Sequence, residues 1–163
     1  MVGSTATADY CRIRIRGLFA ADSADCQSVV IPRDGRVYAP GIPDAALYLI
    51  EHGQVRLLLP TGGGRHFLLA TREAGDFFGE SCLSGEGVRR EAAVAAQETI
   101  LRRMACRRFL SSARRESRLE DVIRYLVLLL VEMQETIATL NSGNKPERRT
   151  GPVPKTGADA GAS

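Results

Sequence analysis

Apolar residues along this chain fall into three successive patterns. Over Tyr10 to Ala20, Ile13 and Ile15 alternate with Arg12, Arg14 and Arg16, a pattern that serves a short helix or a strand equally well. From Ser28 to about Arg107 the apolar runs are short and broken by glycine and proline: SVVIP, RVYAPG, ALYLIEHG, QVRLLLP, HFLLA, DFF, AAVAA and TILRRMAC. Short strands at close spacing with glycine-bearing connections predict an antiparallel roll, barrel or sandwich. The segment TGGGR between QVRLLLP and HFLLA reads as a hairpin loop, because glycines accept the positive φ such turns demand.

After Cys106 the period lengthens. RRFLSSARRES reads as a short helix, and beyond it Leu119, Ile123, Leu126, Leu130, Met133, Ile137 and Leu140 recur at alternating spacings of four and three. That is an a/d seam on one long helix, and such a seam calls for a partner helix. Ser117 is placed to cap its start, with Glu120 in the capping-box position and Asn141 to Gly143 as the stop. Val122, Leu129 and Val131 widen the apolar face, so that one side can pack on the strands while the seam meets a second copy. From Ser142 onward Gly, Pro, Lys, Arg and Ala dominate, and a disordered tail is expected over 142–163.

Composition narrows the function classes. With 163 residues, 44% hydrophobic and 25% charged, the chain has room for one ordinary domain plus a tail. A formal charge of +3 falls short of the concentrated basic face that phosphate-backbone binding requires, and Arg102-Arg103, Arg107-Arg108 and Arg114-Arg115 read as solvated faces. No apolar run reaches the length of a signal peptide or a membrane span, so the chain reads as cytoplasmic. Cys11, Cys26, Cys82 and Cys106 are scattered without a CxxC pair, which makes reduced thiols the expectation and no metal site. His52 and His66 stand at turns. Glu86, Arg89, Glu120 and Asp121 form no acid/base pair, and no Ser/His/Asp or Cys/His arrangement occurs, so no catalytic residue is nominated and the chain is not expected to be an enzyme.

The informative stretch is Gly75 to Ala96, GDFFGESCLSGEGVRREAAVAA. It resembles the phosphate-binding cassette of the Crp/Fnr family, in which a Phe-Gly-Glu turn leads through a short helix to an Arg-Ser/Thr-Ala strand. Phe78-Gly79-Glu80 stands at the first element and Arg90-Glu91-Ala92 at the second, with Arg90 ten positions after Glu80. The order APG, YLIEHGQVRL, glycine hairpin, GDFFGE also fits. The resemblance implies a mainly β fold with α elements: an N-terminal arm over 1–27, a jelly-roll-like antiparallel β-roll of the cyclic-nucleotide-binding kind over 28–107, and a short helix plus dimerisation helix over 108–141. In such a cassette the backbone N–H groups after Gly79 and the forked guanidinium of Arg90 suit an anion, with Ser81 and Ala92 beside them, and Glu80 suits a ribose hydroxyl. Cyclic AMP or cyclic GMP is the implied ligand, with the dimer helix shifting when it binds.

The sequence departs from that pattern in three places. Glu91 stands where nucleotide-binding members place a hydroxyl residue, and a carboxylate about 4 Å from a phosphate costs on the order of 1 to 4 kcal/mol. Glu91 can instead turn outward or pair with Arg89 or Arg90, leaving the roll without nucleotide. The Thr-Ser pair that touches the purine in the family is absent, with Gln134 or Thr136 as the nearest substitutes. Only 23 residues follow Leu140, too few for the family's helix-turn-helix, so no direct DNA reading is expected. The leading expectation is a homodimeric effector-sensing domain pairing through Leu119, Ile123, Leu126, Leu130, Met133 and Ile137. The alternatives are a ligand-free module that pairs with a full-length Crp/Fnr regulator, and a cysteine-based redox or iron-sulfur sensor, although the spacing of Cys11 and Cys26 does not match the clustered cysteines of that branch.

Overall fold

The computed structural model describes residues 3–20 and 24–143. Helix α1 (Gly3–Arg16) and a single 3-10 turn at Gly17–Phe19 precede the strands β1 (Cys26–Ile31), β2 (Arg36–Tyr38), β3 (Ala46–His52), β4 (Gln54–Gly62), β5 (Arg65–Glu73) and β6 (Phe77–Phe78). A second 3-10 turn, Glu80–Ser84, leads to β7 (Ala92–Ala95), β8 (Thr99–Ala105), α2 (Cys106–Arg115) and α3 (Leu119–Gly143). The Tyr10–Ala20 stretch is therefore helical. Its alternation is that of a helix burying Cys11, Ile15, Leu18 and Phe19 along one stripe while Ile13 stays exposed.

Two antiparallel four-stranded sheets form the roll, one ordered β1-β8-β3-β6 and the other β2-β7-β4-β5. Arg65 pairs with Gly62, which leaves Gly63 and Gly64 as a two-residue turn with φ of 58° and 74°. Positive φ at both central positions matches the twist of the flanking strands and selects glycine.

Strand β3 is where the two cores meet. Ala46, Tyr48 and Ile50 point between the sheets, packed with Tyr38, Val55, Leu57, Phe78, Ala93 and Leu101. Leu47 and Leu49 point the other way, into a second cluster with Phe77 and Met104 that also takes residues from α1, α2 and α3. Because both faces are covered, ALYLI reads as an unbroken apolar run rather than an alternating one.

The chain divides into two compact units at Leu129/Leu130. In the first, Val122, Tyr125 and Leu129 of α3 are buried in the helical cluster, and Leu119 and Leu126 are packed against it. The start of α3 differs from expectation. Ser117 takes a left-handed φ of 54° at the turn out of α2, and the first α3 bond runs from Val122 N–H to Arg118 O at 3.1 Å, so Arg118 stands in the cap place. Glu120 instead pairs with Arg124 one turn on, at 2.5 Å. In the second unit the α3 residues Leu130, Val131, Met133, Ile137 and Leu140 are exposed. Ser142 and Gly143, expected in the tail, are the last residues of α3, and the rest of that expected tail, 144–163, lies outside the described residues.

Candidate functional site

The cassette begins where β6 ends. Gly79 adopts φ 88°, and a Cβ built there would stand 3.0 Å from both Ala46 O and Arg89 Nη2. A left-handed residue against backbone oxygen and a buried guanidinium leaves glycine as the residue that fits. The 3-10 turn follows, closed by the bond from Cys82 N–H to Gly79 O at 3.2 Å and ended by left-handed Gly85. Cys82 is buried and Leu83 packs against the helical cluster, so the turn is seated on the same core as α3.

The two arginines of the VRRE run have opposite fates. Arg89 is 1% exposed, the largest fully buried side chain among the described residues. Its Nη1 donates to Gly79 O at 2.7 Å and Ser81 Oγ at 3.0 Å, and its Nη2 donates to Ala46 O and to Asp44 Oδ2 at 3.3 Å. The guanidinium also lies over the Tyr38 ring at 4.2 Å. Arg90 is 77% exposed and its Nη2 pairs with Glu86 Oε2 at 2.9 Å, four residues back on the rim. At the bend that leads into β7 the two neighbouring side chains take opposite sides, one arginine of the doublet inward and the other outward. The inward position belongs to Arg89.

Asp44 ties this centre together. Besides Arg89 it accepts from Tyr48 OH at 2.8 Å and from Arg103 Nη2 at 3.3 Å. Glu91 is held as well: Tyr38 OH donates to its Oε1 at 2.9 Å. Burial first and the Glu91 charge second push the Tyr38 hydroxyl well above the usual tyrosine range, so it remains a donor. Half-buried Glu80 has its carboxyl pushed up, chiefly by burial, with the Glu91 charge adding to it against the pull of Arg72 and Arg89.

The structure thus brings Gly79, Ser81 and Arg89 into direct contact, with Glu91 one hydrogen bond away through Tyr38, the ring beneath Arg89. Ala92 is buried on β7, while Ser81 is exposed apart from the hydroxyl that receives Arg89. Gln134 and Thr136 lie on the exposed second unit of α3, where Thr136 Oγ1 donates to Glu132 O at 3.0 Å. Arg89, Asp44 and Tyr38 were not nominated from the sequence. The doublet itself was the available signal for Arg89, whereas nothing in APGIPD marks Asp44. Among the described residues no group of three or more His, Cys, Asp or Glu is placed to hold a metal, and no helix is long and apolar enough to cross a membrane.

Known proteins share this fold. The profile of the cyclic nucleotide-binding domain matches residues 25–116. The cyclic AMP receptor protein of Thermus thermophilus is 37% identical over 75 residues, covering 46% of this chain and 35% of the relative. The chain thus matches about a third of that relative's length. The crystal structure of the Thermus thermophilus catabolite activator protein superposes with a TM-score of 0.63 at 28% identity, over 77% of this chain and 62% of that one. A cyclic nucleotide-binding domain from Methylobacillus flagellatus, at 19% identity, shares the fold with a TM-score of 0.64 over 86% of this chain and 88% of its own.

Proposed function

The chain belongs to the cyclic nucleotide-binding domain family, in its Crp/Fnr form, and from that premise we propose that it is a homodimeric effector-sensing regulatory domain. A small molecule at the cassette, cyclic AMP or cyclic GMP in the first instance, resets α3, and the α3 pair carries the signal. The observation that carries this reading is the contact between Phe77, two residues before Gly79, and Tyr125 on α3, whose rings lie 4.1 Å apart within one buried cluster. Cassette and helix therefore share side chains, and a ligand that favours one packing of that cluster over another shifts the helix with it.

Each residue has a part in the proposal. Arg89 fixes the loop from inside. Arg90, on the rim, leaves Glu86 for the ligand's phosphate, an exchange that costs little because exposed pairs contribute about 0 to 1 kcal/mol. Glu80 offers a ribose hydroxyl its carboxylate. The exposed row Ile123, Leu130, Met133, Ile137 and Leu140 is the face offered to a second copy. Leu119 and Leu126 are already packed on the chain's own core and contribute less.

A second reading is favoured by one specific observation: Arg89 and Glu91 already have partners, as in a roll that works without ligand and pairs with a full-length Crp/Fnr regulator. Isothermal titration with cyclic AMP and cyclic GMP at pH 7.5 separates the two, using the native chain, Arg90→Ala and Glu91→Ser. Micromolar binding by the native chain that Arg90→Ala abolishes supports the sensor. Binding by Glu91→Ser alone supports the ligand-free module, and no binding by any form removes the cyclic nucleotide. Sedimentation tests the seam: the native chain is expected to be dimeric and Leu130→Asp monomeric.

A further inference from the structure

The four cysteines, far apart in sequence, converge on one core: Cys11, Cys82 and Cys106 are members of the helical cluster and Cys26 packs against it. Two of them stand together. Cys82 lies in the cassette turn and Cys106 is the first residue of α2, and the Cys106 thiol donates to Cys82 O at 3.4 Å. Cys82 and Cys106 are 6% and 8% exposed, so this dithiol is buried beneath the cassette.

We propose that Cys82 and Cys106 are a redox modification site, closing to an intramolecular disulfide with a hydroperoxide as oxidant and pinning the cassette turn to the head of α2. One thiol gives its proton to water and attacks a peroxide oxygen. The O–O bond breaks, hydroxide leaves and takes up a proton, and the sulfur becomes a sulfenic acid. The second thiol attacks that sulfur, the S–O bond breaks, and the departing hydroxyl leaves as water with the second thiol's proton. Two thiols are oxidised by two electrons, one hydroperoxide is reduced, and with hydrogen peroxide two waters form.

Closure requires the Cys106 thiol, which rests on Cys82 O, to swing onto the Cys82 sulfur. A disulfide requires the sulfurs to draw in to about 2.05 Å, and the Cys82 side rides on a short turn between left-handed Gly79 and Gly85, the latter with open space around it. The seated turn also protects the pair. Burial, with the Cys106 thiol next to it, pushes the Cys82 thiol up, so thiolate is scarce until the turn lifts. Oxidation therefore reports on the opening of the cassette, independently of which ligand opens it.

The test uses the native full chain, reduced and freed of reductant, then exposed to hydrogen peroxide and separately to diamide without denaturant. The expected product is a monomeric mass lower by about 2 Da, the two hydrogens lost in forming one disulfide. Alkylatable thiols should fall from four to two, and dithiothreitol should restore them. A tryptic map should link Glu73–Arg89 to Met104–Arg107. A Cys11→Ala/Cys26→Ala double variant should still form the link. A link between Cys11 and Cys26, a disulfide between two chains, or four thiols still alkylatable after prolonged oxidation of the native chain would overturn the proposal. The native-chain map decides the matter even if a cysteine variant fails to fold.

Discussion

Adjacent arginines with opposite environments make a controlled experiment. Arg89→Ala removes a guanidinium that donates to Gly79 O, Ala46 O, Ser81 Oγ and Asp44 from a site 1% exposed. Breaking a buried pair by deleting one member costs about 3 to 5 kcal/mol, mostly because the remaining member is left unpaired. Here Asp44 keeps Tyr48 and Arg103, so it is not orphaned, and the loss falls mainly on the two carbonyls and the Tyr38 contact. Arg89 Nε is itself buried without a partner, which reduces the native advantage further. The expected loss is therefore at the low end, about 3 kcal/mol. Arg90→Ala removes a partner from an exposed pair and should cost about 0.5 kcal/mol or less.

Urea unfolding at fixed protein concentration reads the difference, since the apparent stability of the proposed dimer depends on concentration. With an m-value of about 2 kcal/mol/M, Arg89→Ala should lower the midpoint by about 1.5 M and Arg90→Ala by about 0.2 M. Arg89→Lys should fall between native and alanine, because an ammonium keeps the charge but cannot fork among several acceptors. Equal shifts for the two alanine variants, or a larger one for Arg90→Ala, would refute the assignment of the inward position to Arg89.

Gly79→Ala should destabilise by about 1 to 3 kcal/mol in the same titration, because φ of 88° and a 3.0 Å approach to Ala46 O both oppose a Cβ. Tyr38→Phe should cost about 1 to 2 kcal/mol by leaving Glu91 without its donor, and unchanged stability would mean that the bond contributes nothing. For Glu80 burial favours the neutral carboxyl, so its folded pKa lies above the ordinary value of 4.5. The stability it contributes is complete below that value and is lost as pH rises through the folded pKa. Glu80→Gln should therefore melt higher than the native chain at pH 7.5, with the gap closing toward pH 4. A gap that widens in acid would reverse the sign and sink the argument.

Much of the architecture was legible because it rests on periodicity and glycine placement. Short apolar runs between glycines and prolines made the roll, the GGG run made a two-residue turn, and spacings of four and three made α3. The cassette's place in the chain was legible from Phe78-Gly79-Glu80. What failed to show was the choice within a local degeneracy. Arg89 and Arg90 are chemically identical neighbours, and only the path of the chain past Asp44 and Tyr38, contributed from 45 and 51 positions away, decides which one turns inward. Likewise the seam residues look equivalent in sequence, yet Leu126 packs on the chain's own core and Leu130 does not. Ser117 had the chemistry of a cap, but a left-handed turn out of α2 moved the helix start past it.

That β3 divides its side chains between two cores bears on how the domain works. Tyr48 stacks on Phe78 at 5.2 Å in the core between the sheets, while Phe77, the next residue along β6, meets Tyr125 of α3 in the other. Adjacent residues of one two-residue strand thus face the core beside Asp44 and the buried first part of α3. Close-packed cores have discrete arrangements rather than a continuum, so a displacement at Gly79 large enough to repack Phe78 cannot leave Phe77 in place. Under the proposed function, an effector that moves the cassette is expected to reach Tyr125 through Phe77. A Phe77→Leu variant that binds its effector normally but no longer passes the change to α3 is the form in which that coupling would be visible.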